Sequence, residues 1–146
     1  MDLNFKVLGS GKPVVIFHGL LGSLDNWITI SRTLSSKYKV ILVDLPNHGK
    51  SYHTDEFSYQ QMSEKVHELL LSLNLSSVSV IGHSMGGLIA TQLAYDDDVS
   101  ISGLILSSTH LGFGYPKGNA LMERYSNRLE TFSSKQSDIH YAMERA

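Results

Sequence analysis

The stretch that decides the fold is Val78-Ser79-Val80-Ile81-Gly82-His83-Ser84-Met85-Gly86-Gly87-Leu88-Ile89. Val78 to Ile81 is a short apolar run that reads as a buried strand, and a helical pattern carrying Leu88, Ile89, Leu93 and Ala94 follows it. Between them lies Gly82-His83-Ser84-Met85-Gly86, a G-x-S-x-G pentapeptide. The pattern alone is weak, because three fixed positions recur by chance in about 5% of chains this long at average glycine and serine usage. The strand before it and the helix after it make it specific. A serine at so tight a turn is forced toward an unfavourable backbone conformation. Its neighbours two residues away must be small, because strand and helix backbones nearly touch there. The hydroxyl then stands clear of the sheet, and the N-terminus of the helix favours negative charge beside it. Ser84 is therefore the candidate nucleophile, supported by Gly82, His83, Gly86 and Gly87.

Outward from this turn, the chain alternates strand and helix signals. Leu3 to Leu8 alternates apolar and polar residues like an outer strand, and Gly9 to Lys12 is a turn. Val14-Val15-Ile16-Phe17 is a β-branched run suited to burial on both faces, and His18-Gly19-Leu20-Leu21-Gly22 follows it. A tetrahedral intermediate needs backbone N–H donors held in place in advance. Leu20, just past His18-Gly19, and Met85, just past Ser84, are the expected pair, with His18 ordering the loop. A short helix with Trp27, Ile30 and Leu34 on one side comes next, then a strand from Tyr38 to Val43 and a loop beginning at Asp44. Ser58-Tyr59-Gln60-Gln61 reads as a capping box. It opens a helix with Met62, Val66, Leu69, Leu70 and Leu73 on one face. Asp96 to Asp98 is a solvated connection, and Ile101 to Leu106 is a further strand. Strands alternating with helices predict an α/β protein with a parallel sheet covered by helices on both faces.

Composition narrows the class. The chain has 146 residues, enough for one ordinary domain, and is 42% hydrophobic and 18% charged, enough to bury a core. Its net charge of −2 offers no electrostatic footprint for nucleic acid or an anionic membrane surface. The absence of cysteine excludes disulfides, thiolate zinc sites and a cysteine nucleophile. No secretory signal or bilayer-length apolar run is visible, so the expectation is a cytoplasmic protein. No H-E-x-x-H or comparable spacing points to a metal, and no phosphate-binding glycine loop follows any strand. No cofactor is expected.

Three motifs, in order, carry a resemblance that runs from about Pro13 to Ser108. They are His18-Gly19 after a strand, Asp44-x-x-Asn47-His48-Gly49-x-Ser51 after the next, and Gly82-His83-Ser84-Met85-Gly86-Gly87. Together they resemble the α/β-hydrolase superfamily. The Asn47-His48-Gly49 version, with Gly22-Ser23-Leu24-Asp25-Asn26-Trp27 upstream, looks like small esterases and acyl-thioesterases. Ser108 to Gly114 looks more like enol-lactone hydrolases. The resemblance implies a serine hydrolase of a carboxylic ester, thioester or lactone, with a small-molecule acyl substrate and an acyl-enzyme intermediate.

The resemblance also implies a histidine and an acid that complete a triad. The expected histidine follows the fold's last strand, beyond residue 146. No carboxylate occupies Ser107 to His110, where some relatives place the acid. The expected division is residues 1–110 as the N-terminal part of the core, truncated before the last strands, and 111–146 as the start of a helical cap. Without the base, the isolated chain is expected to be a poor catalyst, since removing a triad histidine costs on the order of a millionfold in turnover. His110 is the one understudy. His48, His53, His67 and His140 are expected at the surface or in loops. The strand ending at Leu106 is expected to be an open edge through which the chain self-associates. The competing reading is a non-catalytic binding module derived from the same fold.

Overall fold

The computed structural model describes residues 3–55, 58–95 and 100–109. The cap expected at 111–146, together with His110 and His140, lies outside them. The described chain forms β1 (Phe5–Leu8), β2 (Lys12–Phe17), a 3-10 turn (Leu24–Trp27), α1 (Ile28–Leu34), β3 (Tyr38–Val43), α2 (Tyr59–Ser72), β4 (Ser77–His83), α3 (Met85–Tyr95) and β5 (Ser100–Ser107). The strands make one sheet in the order β1-β3-β2-β4-β5. β2 pairs in parallel with β3 and β4, and β4 with β5, while β1 runs antiparallel to β3. The reversed direction of β1 follows from the short turn Gly9–Gly11. Three residues cannot make the long crossover that a parallel strand needs.

The helices cover both faces of the sheet. On one face Val15, Phe17, Ile41, Val43, Val78 and Val80 pack with Met62, Val66 and Leu70 of α2 and Ile89, Ala90 and Leu93 of α3. On the other face Val14, Ile16, Val40 and Leu42 meet Leu24, with Trp27, Ile28 and Leu34 packed against them. Alternate residues of one strand thus serve opposite layers, which is why β2 and β3 read as unbroken apolar runs. Burying each such side chain contributes about 1.5–3 kcal/mol relative to exposure. The first helix departs from expectation. Ile28 faces inward with Trp27 and Leu34, and Ile30 is half-exposed. The chain enters α1 through a 3-10 turn, which shifts the phase of the helical stripe.

Local signals set the helix boundaries. The Ser58 hydroxyl accepts the Gln61 N–H and caps α2. A second cap went unread in the sequence: Ser23 and Asn26 form a reciprocal capping box at the 3-10 turn. α3 is buried around most of its circumference, and the Thr91 hydroxyl satisfies itself on the Gly87 carbonyl at 2.8 Å. The parallel registers bring Phe17 level with both Val43 and Gly82, and His83 level with Ser107. The loops that begin at His18, Asp44, Ser84 and Ser108 therefore leave one edge of the sheet together. From β2 the chain goes first to β3 on one side and later to β4 on the other. The crevice between β2 and β4 is a topological switch point, where open α/β sheets bind ligands.

Candidate active site

Ser84 stands between β4 and α3 at φ 51, a left-handed conformation. Its N–H donates to the Ser107 carbonyl at 2.9 Å, and its carbonyl accepts the Gly87 N–H at 2.9 Å. The glycines around it are required by close approach. A methyl group on Gly82 would lie 2.6 Å from the Gly86 carbonyl oxygen, and backbone cannot swing away as a flexible side chain can. The Ser84 hydroxyl has no hydrogen-bond partner among the described residues. Ser84 lines an open cleft of 560 Å³ whose walls include Leu20, Leu21, Trp27, Ile30 and His83.

The other wall is the loop after β2. His18 is 1% exposed. Its Nε2 accepts the Leu45 N–H at 3.0 Å, so Nδ1 carries the proton and donates to the Gly19 carbonyl at 2.8 Å. The ring therefore ties the ends of β2 and β3 together. Burial holds its pKa below the ordinary histidine value despite the Gly19 bond, and neighbouring His48 adds to the depression. The Gly22 N–H closes a turn on the Gly19 carbonyl at 3.0 Å, with Leu21 at φ 59. The Leu20 N–H donates to no described residue. Met85 is the first residue of α3, so its N–H is one of the donors a helix leaves unsatisfied. Leu20 lines the cleft beside Ser84.

The motif at Asp44 organises this edge from beneath. One carboxylate oxygen accepts the Leu24 N–H at 2.7 Å, and the other accepts the Lys50 N–H at 2.9 Å and the Asn4 amide at 2.7 Å. Burial pushes the Asp44 carboxyl up. The Leu24, Lys50 and Asn4 hydrogen bonds, with His18 nearby, outweigh it and hold the group below its usual value. The Ser51 hydroxyl donates to the Asp44 carbonyl and accepts the Asn4 N–H at 2.8 Å. Gly49 leaves room for the carboxylate, since a side chain there would collide with it. Asp44, Gly49 and Ser51 therefore hold three segments together behind the cleft and lie outside its lining.

Of the described histidines expected at the surface or in loops, His48 and His53 lie in loops and His67 departs by sitting half-buried on a helix. His48 is in a loop but buried, with its ring centroid 5.1 Å from that of His18. His67 is half-buried on α2, and its Nε2 is buried without a partner. His53 is exposed. His83 packs edge-on against Trp27, with centroids 6.1 Å apart, so both rings wall the cleft. The helical pattern of the sequence places Trp27 and Ile30 on one side of a short helix and carries no sign of their place in the cleft. The missing signal was the 3-10 turn that rotates Ile30 toward the cleft. Among the described residues, no group of three or more His, Asp or Glu side chains could hold a metal, and no helix is long and apolar enough to cross a membrane.

Comparison with known proteins fits this geometry. Residues 12–136 match the family model of the alpha/beta hydrolase fold. A Haemophilus influenzae protein named as an esterase/lipase is 48% identical over 82 residues, which cover 56% of this chain and 29% of that protein. The sn-1-specific diacylglycerol lipase ABHD11 of Xenopus laevis is 40% identical over 110 residues, covering 72% of this chain and 35% of the lipase. A marine microorganism esterase of known structure superposes with a TM-score of 0.71 at 32% identity, covering 97% of this chain and 61% of that one. The chain spans well under half the length of these two curated relatives. The match over most of its length and the strand–serine–helix turn lead to one conclusion: this chain belongs to the α/β hydrolase fold family.

Proposed function

We propose that this chain carries the nucleophile and oxyanion site of a hydrolase acting on a carboxylic ester, thioester or lactone. The observation that supports this most is Ser84, held at φ 51 at the head of α3 and lining the cleft. The Ser84 oxygen attacks the substrate carbonyl carbon, and the carbonyl π electrons move onto oxygen. The Leu20 and Met85 N–H groups receive that charge, in a place where fixed dipoles need no reorganisation. A histidine from outside the described residues takes the hydroxyl proton and returns it to the departing alcohol or thiol. Water, activated by the same base, then releases the acid from Ser84. No cofactor enters this scheme.

The walls of the cleft bear on the substrate. Leu20 is 60% exposed, Leu21 91% and Ile30 50%, all lining the cleft. Apolar side chains left in water side by side mark a binding surface. The described lining contains no Lys, Arg, Asp or Glu. Both features support an uncharged, apolar acyl group, in keeping with the esterase and lipase names of the relatives.

Fluorophosphonate labelling, with the adduct located by mass spectrometry and Ser84→Ala as control, tests the reading. Labelling at Ser84 that the substitution removes supports it. Labelling elsewhere and not at Ser84 overturns it; a folded protein that stays unlabelled leaves this chain, on its own, the role of a binding module and assigns activation of Ser84 to a base it does not supply.

A further inference from the structure

The chain that leaves β5 does more than end a strand. β4 and β5 run level to His83 and Ser107, and the ladder continues one step further, with the Ser84 N–H donating to the Ser107 carbonyl at 2.9 Å. Ser108 then takes φ 52, itself left-handed, and turns the chain back over the head of α3. That turn delivers the Thr109 hydroxyl to the Ser84 carbonyl at 3.1 Å, with the Ser107 carbonyl 3.2 Å away. Thr109 lies so close to Gly87 that any side chain at Gly87 would collide with its hydroxyl. Ser84 is thus held at both backbone polar groups by consecutive turns of one segment: its N–H by Ser107 and its C=O by Thr109.

We infer that Thr109 is a positioning residue, whose hydroxyl clamps the Ser84 carbonyl and keeps the nucleophile in its left-handed conformation. The inference rests on the reading of Ser84 as nucleophile. Left-handed φ is uphill for a residue with a Cβ and persists only where surrounding contacts over-determine it. The Gly87 N–H bond to the Ser84 carbonyl belongs to the first turn of α3, and a helix end frays readily. The Thr109 bond comes from another element, so it pins the elbow to the sheet. A rotation about Ser84 φ would swing its side chain, and the aim of a nucleophile is sensitive to displacements of about 1 Å. Thr109 touches no reacting atom. Its effect passes entirely through the Ser84 backbone.

The test compares Thr109→Val, which keeps the branched shape and removes the donor, with Thr109→Ser, which keeps the donor. Two readouts are taken on the full chain. The first is amide hydrogen exchange at Ser84 to Gly87, with the α2 amides as an internal reference for global stability. The second is the rate of fluorophosphonate labelling at Ser84. The expected result for Thr109→Val is exchange at the elbow faster by about three- to tenfold, the range one neutral hydrogen bond supports. The α2 amides stay unchanged, labelling slows by a similar factor, and Thr109→Ser restores both. Elbow exchange unchanged in Thr109→Val overturns the clamp, whatever happens to labelling. Faster exchange with labelling undiminished overturns its role in aiming the nucleophile. Loss of protection in α2 as well marks a general packing defect, which also overturns the inference. If the unaltered protein is not labelled at Ser84, this chain alone does not activate the nucleophile and the aiming role of Thr109 fails in it. The exchange data then still report whether the backbone clamp exists.

Discussion

A methyl group on Gly86 would sit 2.5 Å from the carbonyl oxygen of His18. The first turn of α3 therefore rests directly on the backbone at the end of β2, and the two walls of the cleft are held at a fixed separation by the absence of one side chain.

Gly86→Ala is the direct test of that contact. The added carbon also meets the Phe17 carbonyl at 2.6 Å, and neither oxygen can move without shifting β2. Overpacking of this kind costs about 1–3 kcal/mol. The expected outcome is a lower urea midpoint with an unchanged slope, together with slower labelling of Ser84 because the head of α3 has moved. An unchanged midpoint shows that the two backbones have room to separate.

Asp44→Asn should be costly at neutral pH and harmless in acid. The carboxylate accepts from Leu24, Lys50 and Asn4, and an amide offers one oxygen where the aspartate offers two. The loss should be about 2–3 kcal/mol, the worth of hydrogen bonds to a buried charged acceptor. The sign with pH follows from the depressed carboxyl. Its stabilisation is fully present above the unfolded-chain value of about 3.9 and disappears as pH falls through the lower folded value. Denaturation of both proteins at pH 7 and at stepwise lower pH should show the gap between them closing. A constant gap removes the carboxylate charge from the explanation.

His18 should impose a second pH dependence at a higher window. Its folded pKa lies below that of the free side chain, chiefly through burial, and protonating Nε2 removes the acceptor for the Leu45 N–H. A histidine with a lowered folded pKa binds more protons when unfolded. Stability is therefore unpenalised above about pH 6.5 and falls as pH drops from there toward the folded value. Unfolding free energy measured from pH 7.5 to 5 should decline in the native sequence and run flatter in His18→Gln. Equal slopes assign the decline to other groups.

How far these relationships were legible in the sequence depends on what holds each one. The G-x-S-x-G turn, the His18-Gly19 loop and the alternation of strands and helices come from local chemistry, and local chemistry is written in consecutive residues. The inward turn of Ile28 in place of Ile30 follows from the Ser23–Asn26 box that sets the 3-10 turn, a local signal in a less familiar form, whereas the burial of His48 depends on what packs against it. The Thr109–Ser84 bond joins residues 25 apart in sequence. No spacing pattern announces it, because it exists only once β4 and β5 are in register. The Asp44 motif lies between these cases. Its residues were visible as a set, but their task of joining Asn4, Leu24 and Lys50 was not.

The strain at Ser84 yields the sharpest contrast. At φ 51 an L-residue with a Cβ is about 1–2 kcal/mol above its relaxed conformation, whereas glycine is indifferent to the sign of φ. Glycine carries an opposing cost of roughly 0.5–1 kcal/mol through the greater freedom it loses on folding. Ser84→Gly should therefore be more stable than Ser84→Ala by up to about 1.5 kcal/mol, since alanine keeps the Cβ and its strain. The hydroxyl itself contributes little to either difference, having no partner among the described residues. Both variants should be inert to fluorophosphonate. Matched urea denaturation curves decide the matter: an alanine variant more stable than the glycine variant by glycine's full cost of roughly 0.5–1 kcal/mol would mean that the elbow stores no strain at this residue. A more stable glycine variant would mean that the fold gives up stability to hold a serine where it can react.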